Sequence, residues 1–257
     1  MRVWFSGMGG CSCGRLKPAP QVAYDGGMCG RFTLIRLADF TNLYPWILPS
    51  DQDAPARFNI APTQSVAVVT NLPEPKIDYF HWGLIPSWAK ERGIGNRMIN
   101  ARAESLAEKP AFRTALRRRR CLIPADGFYE WKVNPDGKTK TPMYIRMKGG
   151  RPFAFAGLWE EWHDPGGSVV PSCTIITTSP NELMKEIHDR MPAIVREDQY
   201  REWLDPKERK AEEVLGLLGP YPAAEMEAFP VSRTVNNPKN ETSACLTPAF
   251  DPPHTLR

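Results

Sequence analysis

A cysteine that directly follows a methionine is the first residue of this chain whose position suggests chemistry. In the stretch GGMCGRFTL, residues 26–34, Cys29 follows Met28. If translation began at Met28, or if residues 1–28 were removed, Cys29 would carry a free α-amine beside its thiol. The amine has a pKa of about 7.7–8.0 in model peptides and the thiol about 8.5, so both are reactive near neutral pH. The amine can form a Schiff base with an aldehyde, and the thiol can then close a five-membered thiazolidine ring. Composition alone favours the alternative, a buried cysteine that acts as a small hydrophobic residue.

Three polar residues in the motif INARAES form a second candidate group. If this stretch is extended, Asn100, Arg102 and Glu104 share one face of the strand. An asparagine can orient an amine by hydrogen bonding, and the planar arginine side chain can bind a phosphate through two parallel hydrogen bonds. The commoner alternative for three such residues is a solvated face with a local ion pair.

Two further residues could transfer protons. Glu130 lies between aromatic residues in the motif DGFYEW, and such surroundings tend to raise a carboxyl pKa toward neutrality. The alternative is an edge-strand glutamate in water, but the aromatic neighbours favour a functional role. His188, in the motif EIHDRMP, is predicted at a helix end before Pro192, with Arg190 adding positive charge. A histidine that caps the helix C-terminus is the alternative.

Three other motifs suggest contacts with a ligand less strongly. RFNIAPTQ is predicted to be a turn that presents Asn59 and Pro62. WGLIPSWAK holds two tryptophans, which usually belong to the core, but Trp88 would be a stacking platform for bases if it were exposed beside arginines. The basic run RRRRC (117–121) is more typical of a solvated helix end than of a DNA site.

The bulk composition is that of an ordinary globular protein. The 257 residues are 42% hydrophobic and 24% charged, and the net charge of +4 permits a nucleic-acid partner without requiring one. No apolar run is long enough for a membrane helix. The six cysteines, at 11, 13, 29, 121, 173 and 245, have neither zinc-site spacing nor a disulfide pattern. We therefore expect no metal and a reducing, cytoplasmic setting.

The elements that position these residues indicate an α+β fold. Residues 1–27 show no apolar period and are predicted to be a disordered or spurious leader, followed by one domain at 28–247 and a tail at 248–257. Runs rich in β-branched and aromatic residues predict strands at 65–70, 77–83, 121–124, 127–133, 142–147, 153–159 and 173–178. Helical periodicity predicts helices at 36–46, 103–119 with a break at Pro110, 180–187 and 196–218. Because helices do not alternate regularly with strands, we expect a largely antiparallel, curled sheet.

Read in order, the motifs resemble a known family. The series is MCGRF, NIAPTQ, WGLIPSWAK, NARAES, RRCLIPADGFYEW, ITTSPN, IHDRMP and VSRTVNN. It is similar to the SRAP family, the abasic-site processing proteins formerly called SOS-response-associated peptidases. Each motif alone is weak, but eight in this order, from Met28 to about Leu246, are highly specific. The resemblance implies a single α+β domain with a curved, barrel-like sheet surrounded by helices.

The resemblance also implies a function, the covalent capture of abasic sites in single-stranded DNA during the DNA damage response. Cys29 would be the nucleophile of a thiazolidine crosslink, with Asn100 positioning its amine, Glu130 acting as acid and base, and His188 assisting proton transfer. The residues implied in DNA binding are Arg31, Arg102, Asn59, Pro62, Trp88 and Arg190. No metal or organic cofactor is implied, and we expect a monomer that works in the cytoplasm on nucleoid DNA.

One feature departs from the family pattern. With residues 1–28 in place, the nitrogen of Cys29 is an amide and cannot form a Schiff base. The crosslinking hypothesis therefore requires a start at Met28 or cleavage before Cys29. Two alternatives remain open, an autoproteolytic cysteine peptidase that uses Cys29, Glu130 and His188, and a non-catalytic module that binds single-stranded DNA.

Overall fold

The computed structural model describes residues 29–51 and 54–249. The predicted leader at 1–27 lies outside these residues, as does the predicted tail at 248–257 apart from its first two residues. The strands are β1 Arg31–Leu34, β2 Arg57–Ile60, β3 Ser65–Thr70, β4 Ile77–Trp82, β5 Asn100–Arg102, β6 Arg120–Ala125, β7 Gly127–Val133, β8 Lys140–Met147, β9 Phe153–His163, β10 Val169–Thr178, β11 Met191–Pro192 and β12 Met226–Pro230. The α-helices are short: α1 Leu37–Leu43, α2 Arg113–Arg118, α3 Glu182–Lys185, α4 Tyr200–Trp203 and α5 Ala211–Leu215. Among the described residues, no helix is long and apolar enough to cross a membrane.

The strands form a closed barrel and a second sheet packed beside it. The barrel runs β10-β4-β3-β6-β9 and closes because β9 pairs again with β10. Strand β10 pairs in parallel with β4 and β5, and the other pairs of the barrel are antiparallel. The second sheet has the order β12-β8-β7-β1-β2 and is antiparallel throughout. The predicted α+β fold with a curved, barrel-like, largely antiparallel sheet is confirmed.

Alternation of side chains along β1 and β7 joins the second sheet to the barrel. Phe32 is fully buried and packs edge-on against Trp82 and Phe155 of the barrel, with ring centroids 5.2 and 5.6 Å apart. Phe128 packs on the same Phe155. Because alternate residues of a strand face opposite sides, Glu130 points from β7 toward the same side as Phe128.

The opposite face of the second sheet is covered by the C-terminal segment, residues 231–246. Tyr129 and Tyr144 are directly opposite each other on β7 and β8, and they form a small core with Val231, Val235 and Cys245 of that segment. The two faces of this sheet therefore support different parts of the chain, the barrel on one side and the C-terminal segment on the other.

The helix predicted over 196–218 is wrong, because this stretch divides into a 3₁₀ turn followed by α4 and α5. Pro206 lies between the two helices and has no backbone N–H to continue the first. Carbonyl groups at the end of α2 and in the stretch from the end of α4 onward accept hydrogen bonds from Arg120, a fully buried residue of the basic run. Its guanidinium donates to the carbonyls of Leu116, Arg117, Trp203, Asp205 and Lys207.

Candidate active site

Pairing between β1 and β7 brings the predicted nucleophile beside the predicted acid. Arg31 lies opposite Tyr129 and Phe32 opposite Phe128, so the residues just before β1 run alongside Glu130. The backbone N–H of Cys29 donates a hydrogen bond to Oε1 of Glu130, with an N···O distance of 2.5 Å. Cys29 is only 1% exposed and Glu130 only 5%. The atom that would be the α-amine therefore contacts a buried carboxyl group directly.

Burial governs the protonation of both groups. It raises the pKa of Glu130 to about 7, against the opposing effect of hydrogen bonds from the backbones of Cys29 and Trp131. Burial also raises the pKa of the Cys29 thiol well above its usual value, and the neighbouring charge of Glu130 adds to the rise. Near neutral pH the thiol is therefore protonated, whereas Glu130 can either give or take a proton.

Asn100 approaches the same residue from the barrel. It begins β5, which pairs in parallel with β10 so that Asn100 lies opposite Ile175. Its Nδ2 donates to the carbonyl oxygen of Cys29 at 3.3 Å. Cys29 is thus held on both sides of its α-carbon, at the nitrogen by Glu130 and at the carbonyl by Asn100.

His188 lies in the segment that borders this pair. Its ring is half-buried, and Nδ1 accepts a hydrogen bond from the backbone N–H of Arg190 at 3.1 Å. The same nitrogen lies 3.0 Å from Oδ1 of Asp189, whose carboxylate is close enough to Glu130 to contribute to its raised pKa. The described partners of His188 therefore belong to its own loop, and that loop flanks the site.

Arg31 turns away from Cys29 toward the C-terminal segment. Its Nη1 donates to Oδ1 of Asn59 and to the carbonyl of Val235, both at 2.9 Å, and its guanidinium lies 5.8 Å from the ring centroid of Trp131. Asn59 is fully buried. Its Nδ2 donates to the carbonyls of Val235, Asn237 and Asn240. Asn59 therefore holds Arg31 and the C-terminal segment together from the interior.

The remaining predicted DNA-binding residues differ in how far they reach solvent. Trp88 is 59% exposed, whereas Trp82 of the same motif is fully buried. Arg102 is exposed at the end of β5, and Pro62 is half-buried. Arg190 is engaged within the protein, because its guanidinium forms a two-point ion pair with Glu104 at 2.6 and 2.8 Å.

Two acids that shape the site, Asp126 and Glu104, carry no functional motif of their own in the sequence. Asp126 accepts hydrogen bonds from the backbone N–H groups of Ile35 and Arg36 and so fixes the end of β1, the strand that follows Cys29. Glu104 binds Arg190. The only sequence signal for Asp126 is its position before Gly127, between two predicted strands. For Glu104 the signal is its predicted place on one face with Asn100 and Arg102.

Comparison with known proteins places the chain in a family. A family model described as SOS response associated peptidase (SRAP) matches residues 28–238. The chain belongs to this family. The family predicted from the order of the motifs is therefore confirmed.

Relatives of this SRAP chain occur in bacteria and animals. It is 48% identical over 221 residues to "Abasic site processing protein YoqW" of Bacillus subtilis (strain 168), covering 84% of this chain and 97% of that protein. It is 34% identical over 197 residues to "Abasic site processing protein HMCES" of Mus musculus, covering 65% of this chain and 55% of that protein. A crystal structure of a Bacteroides thetaiotaomicron protein superimposes with a TM-score of 0.73 at 26% identity, covering 86% of this chain and all of the other.

Proposed function

We propose that this chain captures abasic sites in single-stranded DNA through a covalent bond to Cys29, once Cys29 is the first residue. The observation that carries the proposal is the 2.5 Å hydrogen bond between the Cys29 nitrogen and Glu130, a carboxyl whose pKa burial raises to about 7. A terminal amine at this position would have a proton donor and acceptor in direct contact. The names of the relatives, abasic site processing proteins, support the same assignment of substrate.

The first step joins the amine to the sugar. The Cys29 nitrogen attacks C1′ of the ring-opened deoxyribose, which is an aldehyde, and one water molecule leaves to give a Schiff base. The proton lost by nitrogen and the proton gained by the departing oxygen can both pass through Glu130, because it contacts the nitrogen directly. Asn100 holds the carbonyl group of Cys29, which fixes the direction of the amine.

The second step closes the ring. The Cys29 sulfur adds to C1′ of the Schiff base, and the thiol proton is transferred to the nitrogen. The product is a thiazolidine in which C1′ is bonded to both nitrogen and sulfur, and the net reaction releases one water. Because burial raises the thiol pKa, the thiol is protonated near neutral pH, so we assign the first attack to the amine and ring closure to the sulfur.

Three groups that reach the surface suit contacts with a single strand of nucleic acid. Trp88 is 59% exposed and offers a ring on which a base can stack, and Arg102 is an exposed cation in the strand that also carries Asn100. Pro62 lies at the surface beside Thr63, which has a φ of +70°. In this proposal Asn59 contributes indirectly, by holding Arg31 in place.

The test is a denaturing gel that follows a labelled oligonucleotide carrying one abasic site. A chain beginning at Cys29 should form an adduct that survives denaturation, whereas a chain retaining residues 1–28 should form none until those residues are removed. Cys29→Ala and Cys29→Ser should give no stable adduct, since neither can close the thiazolidine. Glu130→Gln should slow adduct formation by roughly 10²–10⁴-fold.

Two controls separate chemistry from binding. Arg102→Ala should weaken adduct formation most at low salt and make it less salt-dependent, as the loss of a phosphate contact does. Arg117→Ala should not, because Arg117, on α2, pairs with Glu208. A stable adduct formed by Cys29→Ala, or by the uncleaved chain, would overturn the proposal. Salt-sensitive binding without any covalent product would indicate a binding module instead.

The same hydrogen bond supports a second activity, cleavage of the Met28–Cys29 bond by the chain itself. The Cys29 thiol would attack the preceding carbonyl carbon, and protonated Glu130 would donate its proton to the departing nitrogen, which it already contacts. This step frees the amine of Cys29, and the proton lost by the thiol replaces the one that Glu130 gave. Water would then hydrolyse the thioester, which releases the preceding segment as a carboxylic acid and restores the thiol. Intact mass of purified full-length chain over time tests this step. Persistent full-length protein, or equal cleavage in Glu130→Gln, would refute it.

A further inference from the structure

Arg190 and Glu104 form a closed ion pair at the edge of the site. Nη1 of Arg190 lies 2.6 Å from Oε1 of Glu104, and Nη2 lies 2.8 Å from Oε2. Nη2 also donates to the carbonyl oxygen of Thr177 at 2.9 Å. The Arg190 side chain is only 14% exposed, whereas that of Glu104 is 56% exposed. The carboxylate therefore covers the guanidinium on its solvent side.

The backbone places this pair across the end of β10. Thr177 lies opposite Arg102 of β5 on one edge and opposite Pro192 of β11 on the other. Glu104 follows β5 by two residues, and Arg190 precedes β11. The ion pair thus joins the strand that carries Asn100 and Arg102 to the loop that carries His188.

The geometry of the pair is the one in which arginine binds a phosphate. Two parallel N–H···O hydrogen bonds from a planar guanidinium suit a carboxylate and a phosphate equally well. A DNA phosphate that approached Arg190 from solvent would therefore meet the place already taken by Glu104. The ion pair with Arg190 also lowers the pKa of Glu104, so the carboxylate is ionised at neutral pH.

We infer that Glu104 is an internal competitor for the DNA backbone, which Arg190 can bind only when Glu104 moves away. This inference rests on the proposed function, because it requires a single strand to cross this edge of the site. Glu104 then weakens non-covalent binding to intact strands, which lets the chain leave DNA that has no aldehyde to trap. An alternative role, in which Glu104 orients Arg190 for the phosphate, predicts the opposite effect on affinity.

The experiment measures fluorescence anisotropy of a labelled, intact single-stranded oligonucleotide with the full chain between about 50 and 200 mM salt. Glu104→Gln should bind about two- to five-fold more tightly than the unmodified chain, the effect expected for removal of a partly exposed ion pair. Its salt dependence should be steeper, by up to about 0.7 in the log–log slope, for one further phosphate neutralised. Glu108→Gln, at an exposed position of the same stretch, is the matched control and should leave affinity unchanged.

A double variant tests whether Glu104 acts through Arg190. Arg190→Ala should weaken binding, and adding Glu104→Gln to it should give no gain. If Glu104→Gln raised the DNA affinity equally in the Arg190→Ala background, Glu104 would act by general charge repulsion and the inference would be overturned. Unchanged, weaker or undetectable DNA binding by Glu104→Gln alone would also overturn it. Glu104→Asp, too short to keep both contacts, should give a smaller gain and serves if the glutamine variant folds poorly. Because the oligonucleotide carries no aldehyde, these outcomes are independent of whether the chain forms crosslinks.

Discussion

Replacing Glu130 by glutamine should stabilise the fold at alkaline pH while it slows the proposed chemistry. Glu130 is 5% exposed, so its ionised form is costly in the folded chain. Glutamine has nearly the same shape, keeps an oxygen that can accept the Cys29 N–H, and carries no charge at any pH. The difference in stability between Glu130→Gln and the unmodified chain should therefore arise only at pH values at which Glu130 is ionised.

The magnitude follows from the pKa. Burial raises the pKa of Glu130 from 4.5 to about 7, so the folded chain holds the proton more tightly than the unfolded chain does. Stability contributed by this group is thus full below about pH 4.5, falls as the pH rises, and reaches its minimum above about pH 7. At roughly 1.4 kcal/mol per pH unit, the rise corresponds to about 3 kcal/mol. Glu130→Gln should gain that amount between about pH 4.5 and pH 8.

The assay is urea unfolding of the full chain and of Glu130→Gln at both pH values, with Glu108→Gln as an exposed control. The full chain is used because a free ammonium at Cys29 would pair with the carboxylate and lower its pKa. The difference in unfolding free energy between Glu130→Gln and the unmodified chain should grow with pH, and the control should show no such growth. The same pH dependence in both chains would show that Glu130 is ionised without cost, and the reasoning from burial would be wrong.

Three further substitutions test contacts that hold the site. Arg120→Met removes the donor to five carbonyl groups, of which those of Leu116 and Trp203 are buried contacts, and should cost about 3 kcal/mol in urea unfolding. Gly127→Ala places a Cβ 2.4 Å from the Tyr144 ring and should destabilise the folded chain by about 1–3 kcal/mol in thermal unfolding. The control Gly93→Ala, whose Cβ has nothing within 4 Å, should show no comparable loss in the same measurement. Asn59→Ala removes three hydrogen bonds to the C-terminal segment, so limited proteolysis should cut residues 235–240 faster.

The sequence predicted best those elements whose residues strongly favour one backbone conformation. The strand at 127–133 has the predicted bounds because its aromatic and β-branched residues favour extended backbone. The parallel pairing of β5 with β10 could not be predicted, because a three-residue strand has no periodicity of its own. The prediction of one helix over 196–218 was wrong because the helical spacing of apolar residues continues across Pro206, whereas the helical backbone cannot continue there.

The same distinction applies to the site. A raised pKa was predicted for Glu130 from its aromatic neighbours, and the structure has one, although the cause is burial of the whole carboxyl group. The burial of the Asn59 side chain and the ion pair of Arg190 with Glu104 could not be predicted from the sequence. The partners lie 176 and 86 residues apart in the chain, and such contacts depend on how the sheets close.

The contacts of Cys29 suggest why one residue can serve both proposed activities. Glu130 reaches its nitrogen and Asn100 its carbonyl oxygen, so the site binds the backbone of this residue rather than a side chain. A carboxyl near its pKa can protonate the nitrogen of a peptide bond as it breaks, and can later relay protons for the amine that this cleavage releases. Cleavage and capture would then use the same two atoms in succession, the nitrogen of Cys29 and Oε1 of Glu130. A single substitution, Glu130→Gln, should therefore slow both reactions, whereas Arg102→Ala should slow only the one that involves DNA.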